Sequence, residues 1–150
     1  MSAKAWGFHP RAAAARGARL GLGAWACLSL SLVHSLAAQA PSKSVKAGVY
    51  TAAQADRGQV LYRSKCASCH APNRFTDDLF YTSFAGKPLW EMFDVISDTM
   101  PEDNPGSMKP EEYVDVMAYL LKLNAFPTGD VELPVGKAAL SAIVMEKPLQ

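Results

Sequence analysis

Two thiols and an imidazole stand within five consecutive residues, in the run Cys66-Ala67-Ser68-Cys69-His70. Side chains of these types can bind a metal ion, exchange with disulfides or attach covalently to a cofactor. A structural zinc site needs four ligands, usually from two such pairs, but the remaining cysteine and histidines of the chain all precede residue 40. A redox-active Cys-x-x-Cys expects a βαβ unit, and no stretch shows the alternation of an extended sheet. Zinc binding and dithiol redox chemistry are therefore disfavoured.

The same run has the spacing of a covalent haem attachment site. Two thiols separated by two residues can form thioethers with both vinyl groups of one porphyrin. The imidazole that follows the second thiol is then held at the iron. We predict one haem c, bound covalently through Cys66 and Cys69, with His70 as the proximal iron ligand.

The second axial ligand is expected to be a methionine, because no histidine other than His70 follows residue 40. The five methionines after that residue are Met92, Met100, Met108, Met117 and Met145. Two of them fall in predicted helices, where methionine usually belongs to the core, and one lies in the C-terminal tail. We predict Met100 as the distal ligand, with Met108 as the fallback and an open or water-bound site as the remaining alternative.

A thioether ligand has consequences for function. Its soft sulfur favours Fe(II) and raises the reduction potential relative to two nitrogen ligands. A filled coordination shell leaves no position for oxygen or peroxide. This ligand set predicts an electron carrier rather than an enzyme, whereas an open iron site would indicate a gas sensor.

The first forty residues read as an export signal. Basic residues from Lys4 to Arg19 precede an apolar run over 20–33, and the segment ends in Ala38-Gln39-Ala40. This is the pattern of a secretory signal peptide and predicts a periplasmic protein, consistent with haem c attachment outside the bacterial cytosol. The alternative is an uncleaved membrane anchor over residues 20–38, whose length approaches the ~20 residues that span a bilayer.

The part of the chain after residue 40 has eleven Lys and Arg against fourteen Asp and Glu, a net charge of −3. A basic nucleic-acid-binding face is therefore disfavoured. Residues 41–50 read as a linker or arm. The tail 128–150 reads as an extension packed on the domain, with a short helix at 136–142. This tail is either a strap over the haem edge or a docking surface.

Three main helices are predicted, which makes the fold all-α. The first covers 52–65, and its capping box pairs the side chains of Thr51 and Gln54 with each other's backbone N–H groups. Val60, Leu61 and Ser64 are expected on its inner side. The second covers about 88–99, with an apolar stripe at i, i+4 and i+7. The third starts at Pro110, and its predicted buried face consists of Tyr113, Val116, Met117, Leu120 and Leu121.

Two features of these segments suggest what they pack against. Gly58 costs about 1 kcal/mol in a helix relative to alanine, which indicates that another helix passes close to its backbone. Residues 71–87 contain Phe75, Phe80, Tyr81 and Phe84 without a clear period. Such aromatic residues in a loop need a large buried partner, and a cofactor would supply it.

Residues from about 50 to 127 resemble the class I cytochrome c family of small periplasmic monohaem proteins. The likeness rests on Ala55-Asp-Arg-Gly58, the Cys66–His70 run, Thr99-Met100-Pro101 and Glu111-Glu112-Tyr113 with Ala118-Tyr119-Leu120-Leu121. It implies a cytochrome c-like domain at 51–127, with helices around one covalently bound haem. It also implies that the first and last helices cross, with Gly58 and Tyr62 against Tyr119.

We therefore expect a one-electron carrier with a His/Met-ligated haem c. Its donor would be a periplasmic dehydrogenase or a quinol-oxidising complex, and its acceptor an oxidase or another cytochrome. The residues around Met100 also resemble cytochrome partners of quinoprotein dehydrogenases. The alternative function is thus a dedicated cytochrome subunit of an alcohol or sugar dehydrogenase complex, and a haem-based gas sensor is the third hypothesis.

Overall fold

The computed structural model describes residues 42–148. In chain order, the elements are β1 Lys43–Ser44, α1 Ala52–Lys65, α2 Asp78–Phe84, α3 Leu89–Thr99, α4 Pro110–Leu123, α5 Lys137–Ser141 and β2 Ile143–Val144. The predicted signal or anchor segment, residues 1–40, lies outside the described residues. The all-α prediction is confirmed, and the three main helices α1, α3 and α4 have nearly the expected bounds.

The helices begin where the sequence provides partners for free backbone N–H groups. The Thr51 hydroxyl accepts a 3.1 Å hydrogen bond from the Gln54 N–H at the start of α1. Asp77 accepts a 2.8 Å bond from the Phe80 N–H at the start of α2. Glu112 accepts a 2.7 Å bond from the Lys109 N–H just before α4.

Helices α1 and α4 cross at Gly58. A Cβ atom on Gly58 would lie 1.8 Å from the backbone oxygen of Asp115, so α4 passes where a side chain would otherwise be. The predicted close approach at this glycine is confirmed. The ring of Tyr62 lies 5.1 Å from that of Tyr119 at the same crossing, as the resemblance implied.

The inner side of α1 differs from the prediction. Its buried residues are Gln54, Ala55, Gly58 and Tyr62, whereas Val60 is 65% exposed and Ser64 is also exposed. The first helix contacts α4 through small residues and one tyrosine, because the crossing leaves no room for branched side chains. Leu61, the third residue predicted on this side, is partly buried and packs against the hydrophobic core, so the prediction is right for Leu61 and wrong for Val60 and Ser64.

Helix α4 is the centre of the core, because every residue from Tyr113 to Leu121 is buried. Helices α1 and α3 pack against it. Asn124, at its end, is also buried, and its side chain accepts a hydrogen bond from the Tyr81 hydroxyl and donates one to the Phe75 carbonyl. The end of α4 thereby fixes the loop and the short helix that follow α1.

The C-terminal extension packs on the domain through its own buried side chains, which are Leu133, Leu140, Ile143 and Met145. Strand β2 pairs in parallel with β1, with Lys43 opposite Ile143 and Ser44 opposite Val144. This two-stranded pairing was not predicted. It ties residues 42–50 to the extension, and Gly129 strengthens the tie by donating a 2.7 Å hydrogen bond to the Tyr50 carbonyl.

The Gln54 half of the predicted capping box is wrong. Instead of returning to Thr51, the side-chain amide of Gln54 donates to the Leu133 carbonyl at 3.0 Å and accepts from the Leu133 N–H at 2.7 Å. Gln54 is 2% exposed, and a buried amide needs both partners. The extension supplies them from 79 residues away.

Within residues 42–148, no helix is long and apolar enough to cross a membrane.

Candidate haem-binding site

The Cys66–His70 run forms a tight turn at the end of α1. The Cys66 N–H still bonds to the Tyr62 carbonyl at 2.9 Å, and the N–H groups of Cys69 and His70 both bond to the Cys66 carbonyl, at 3.2 and 2.9 Å. Both thiols are free. Cys66 is half-buried, and this burial raises the pKa of its thiol, whereas Cys69 is exposed.

A cavity of about 790 Å³ opens beside this turn. Cys66, Cys69 and His70 line it from the end of α1, and Met100 lines it from the end of α3. The volume lies within the ~300–1,000 Å³ typical of cofactor and ligand pockets. The structure thus brings the four predicted site residues, from two separate segments, to one cavity.

The other four methionines either do not line the cavity or are almost fully buried within α3. Met108 is half-buried and packs against the hydrophobic core, and it is not among the described residues that line the cavity. Met92 does line it, but this residue is 1% exposed inside α3. Met117 and Met145 are buried in the core away from the cavity lining. Among the five, Met100 combines access to the cavity with a position in the loop after α3.

Aromatic rings form one wall of the cavity. Phe75 lies edge-on to both His70, at 5.7 Å between ring centroids, and Tyr62, at 6.0 Å. Phe80 packs against Phe75 at 6.0 Å and against Phe84 at 5.4 Å. The aromatic residues of the segment 71–87 are thus held together around the cavity. The sequence did not predict that Asp78–Phe84 would form a helix there.

Two tyrosine hydroxyls hold the main chain at the site. Tyr62 donates a hydrogen bond to the carbonyl oxygen of His70. Tyr113, in the first turn of α4, donates a 2.7 Å hydrogen bond to the carbonyl oxygen of Met100. Sequence reasoning assigned neither role, because it treated Tyr62 as a helix-crossing residue and Tyr113 as core. Their hydroxyl groups were the available signal, since a buried Tyr O–H usually finds a partner.

The residues present fit a haem c. Two free thiols, an imidazole and a thioether line a largely apolar cavity, and this donor set matches covalent attachment with axial nitrogen and sulfur ligands. A directly coordinated metal ion such as zinc fits poorly. Among residues 42–148, no group of three or more His, Cys, Asp or Glu side chains could hold one.

Comparison with known proteins supports the resemblance for one part of the chain. Residues 53–120 match the family model described as "Cytochrome C oxidase, cbb3-type, subunit III". These residues form a class I c-type cytochrome domain. The match runs from the first turn of α1 to Leu120 in α4, so it includes Cys66, Cys69, His70 and Met100. No curated protein and no solved structure matches the chain.

The described part of the C-terminal extension, residues 128–148, does not line the cavity. They pack instead against α1, α3 and residues 42–50. The cavity lining therefore gives no support to a strap over the haem edge, one of the two roles predicted for this tail. The extension packs on α3 and β1 because its apolar residues are buried there as part of the core.

Charged residues that line the cavity differ in sign between the end of α1 and the loop after α3. Lys65 lines it from the end of α1, and Glu102 and Asp103 line it from the loop after α3. All three side chains are exposed. Among the described residues, none of the three forms an ion pair.

Proposed function

We propose that this cytochrome domain is a one-electron carrier with a single haem c attached to Cys66 and Cys69 and ligated by His70 and Met100. The observation that carries the proposal is the convergence of these four side chains on one cavity. When bound, haem c supplies an iron that alternates between the ferric and ferrous states. The cytochrome family supports electron transfer as the general function.

The residues of the chain favour electron transfer over bond chemistry. With haem c bound, the Met100 sulfur would favour the ferrous state and would leave no open iron position for exogenous ligands. The aromatic wall of Phe75, Phe80 and Phe84 makes one side of the cavity apolar. A low-dielectric environment of this kind limits the reorganisation of solvent around a changing charge.

We further propose that the protein acts in the periplasm, since residues 1–40 have the pattern of an export signal. Its donor would be a periplasmic dehydrogenase or a quinol-oxidising complex. The family description names an oxidase subunit, which supports a terminal oxidase as the acceptor. The likeness around Met100 supports the alternative, a cytochrome subunit of a quinoprotein dehydrogenase.

The central experiment is expression with a bacterial haem c maturation system, followed by mass spectrometry and absorption spectroscopy. We expect the mass of the exported chain plus one haem, and a near-infrared methionine–iron band in the ferric protein. Met100→Ala should abolish this band and allow carbon monoxide to bind the ferrous iron, whereas Met108→Ala should leave both properties unchanged. A colourless protein with the mass of the bare chain would overturn the proposal.

Redox behaviour, carbon monoxide binding and elution in a complex distinguish the three functions. A carrier should be reduced and reoxidised reversibly without binding carbon monoxide. A wild-type protein with high-spin iron that binds carbon monoxide readily would instead indicate the gas sensor. A native extract in which the haem absorbance elutes in one stable complex with quinoprotein dehydrogenase activity would indicate the subunit.

A further inference from the structure

Two buried tyrosines each donate a hydrogen bond to the backbone carbonyl oxygen of a proposed iron ligand. Tyr62 and Tyr113 are each 2% exposed. The hydroxyl of the first bonds to the carbonyl oxygen of His70, and that of the second bonds to the carbonyl oxygen of Met100. Each bond therefore fixes the main chain directly at a proposed ligand rather than at a neighbouring residue.

These main-chain positions need such a partner. Met100 follows the last residue of α3 and has extended dihedral angles, φ −128° and ψ 149°, so its carbonyl points out of the helical ladder. The loop after it, residues 101–109, has no helix or strand. His70 likewise lies beyond the end of α1, in the turn that starts at Cys66. Without an added bond, a chain segment of this kind has considerable freedom.

The rings of the two tyrosines are themselves held firmly. Tyr62 lies between Tyr119 and Phe75, at 5.1 and 6.0 Å between ring centroids. Tyr113 packs edge-on against Phe93 at 6.0 Å. One ring belongs to α1 and the other to α4, the two helices that meet at Gly58. Both hydroxyl groups therefore have positions set by one helix crossing.

We propose that Tyr62 and Tyr113 are positioning residues for the axial ligands, and that their hydroxyls tie the His70 and Met100 main chain to the crossing of α1 and α4. This inference rests on the proposed His/Met ligation. The Tyr113 hydroxyl holds the Met100 main chain in the position from which the sulfur can bind the iron. If this hydroxyl is removed, other ligands compete with the Met100 sulfur more successfully. The Tyr62 hydroxyl sets the orientation of His70.

The test uses the holoprotein and three Tyr→Phe variants, each of which removes one hydroxyl and keeps the ring. Tyr50→Phe is the matched control. Tyr50 is 1% exposed and donates a 2.6 Å hydrogen bond to the Phe126 carbonyl, but neither residue lines the cavity. It therefore reports the loss of a buried tyrosine–carbonyl bond far from the ligands.

Imidazole is the probe for Met100, because it competes for the same coordination position in the ferric protein. In Tyr113→Phe we expect imidazole to bind about two- to tenfold more tightly, the change that the loss of one hydrogen bond produces. The methionine–iron band should also disappear at a lower temperature. Tyr50→Phe should match the wild type in both properties even where its unfolding temperature falls.

The readout for Tyr62 is separate. In Tyr62→Phe, the paramagnetically shifted ring-proton resonances of His70 and the reduction potential should move, while imidazole affinity stays near that of the wild type. The inference is overturned if Tyr113→Phe binds imidazole like Tyr50→Phe, or if Tyr62→Phe leaves the His70 resonances in place. In either case a wild-type methionine–iron band would show that the proposed ligation still holds. Absence of that band in the wild type would overturn the ligation and the inference together.

Discussion

Gly58 of α1 lies against the backbone carbonyl of Asp115 in α4. The residue before Gly58, Arg57, binds the Asp115 side chain. Arg57 donates two hydrogen bonds to this carboxylate, at 2.9 and 3.0 Å, and two more to Glu132 at the same distances. Adjacent residues of α1 thus hold one residue of α4 through its main chain and its side chain. The same arginine extends the contact to the C-terminal extension.

Substitution of Gly58 tests the crossing. Gly58→Ala places a Cβ 1.8 Å from the Asp115 oxygen, so the helices must separate. Overpacking of this kind costs up to about 3 kcal/mol, and alanine returns about 1 kcal/mol in helix propensity. We expect a net loss of about 2 kcal/mol in the free energy of unfolding, measured by denaturant titration of the holoprotein.

The matched control for this substitution is Val60→Ala on the exposed side of the same helix. Val60 is 65% exposed, so the change should stay within about 0.5 kcal/mol. Equal losses in the two variants would show that α1 and α4 do not meet at Gly58.

Gln54→Ala tests the bond between α1 and the extension. It removes two buried hydrogen bonds to the Leu133 main chain and should destabilise the fold by about 2 kcal/mol. Amide hydrogen exchange gives the local readout, and Leu133 should lose protection before the amides of α4 do. Gln59→Ala serves as the control, because Gln59 lies on the same helix and is only half-buried. Unchanged protection at Leu133 in Gln54→Ala would contradict the contact.

The pH dependence of stability should reveal the ion pairs of the extension. The hydrogen bonds from Arg57 lower the pKa of Glu132, and those from Ser44 and Lys46 lower the pKa of Glu146. A carboxyl whose pKa is depressed by folding stabilises the fold above its ordinary value of 4.5, and this contribution is lost as the pH falls through the folded pKa. Glu132 is exposed and the side chain of Glu146 is 39% exposed, so the effect is small.

We therefore expect Glu132→Gln to melt at a slightly lower temperature than the wild type at pH 7, with the difference vanishing as the pH falls below 4.5. Asp130→Asn is the control, because Asp130 is exposed on the same segment and forms no ion pair with the described residues. A difference that persists or grows in acid would refute the role of the Arg57–Glu132 pair.

Single cysteine variants test the two proposed thioethers. Cys66→Ala and Cys69→Ala should each retain one haem through the remaining bond. One vinyl group then stays conjugated with the porphyrin, so the α band of the pyridine haemochrome should shift to longer wavelength in both variants. The double variant should release its haem on denaturation. An unshifted band in either single variant would mean that the replaced cysteine carries no thioether.

The three main helices were predictable because each has a local signal. Thr51 precedes α1, Pro110 begins α4, and an apolar stripe marks α3. The haem attachment site at Cys66–His70 was equally predictable, since its recognition depends only on the spacing of these residues along the chain. Met108 lies in the same predicted loop, so Met100 could be preferred only because Pro101 follows it and stiffens the backbone. The cavity lining now gives the preference a geometric basis.

The missed features depend on distant partners. Helix α2 has only seven residues, too few for a clear apolar period, although Asp77 was a usable N-cap signal. Its Phe80 and Phe84 line the cavity. The partner of Gln54 is Leu133, and the partner of β1 is β2. No local pattern encodes such pairings. Tyr62 and Tyr113 were recognised as buried rings, but the targets of their hydroxyls could not be read from sequence.

The pairing of Lys43–Ser44 with Ile143–Val144 determines how the domain can be attached to a surface. Because these two short strands are neighbours, a linker added before residue 42 or after residue 148 starts from the same side of the molecule. Neither 42–50 nor 128–148 lines the cavity. We expect protein immobilised on an electrode through either terminus to exchange electrons with dissolved mediators at similar rates.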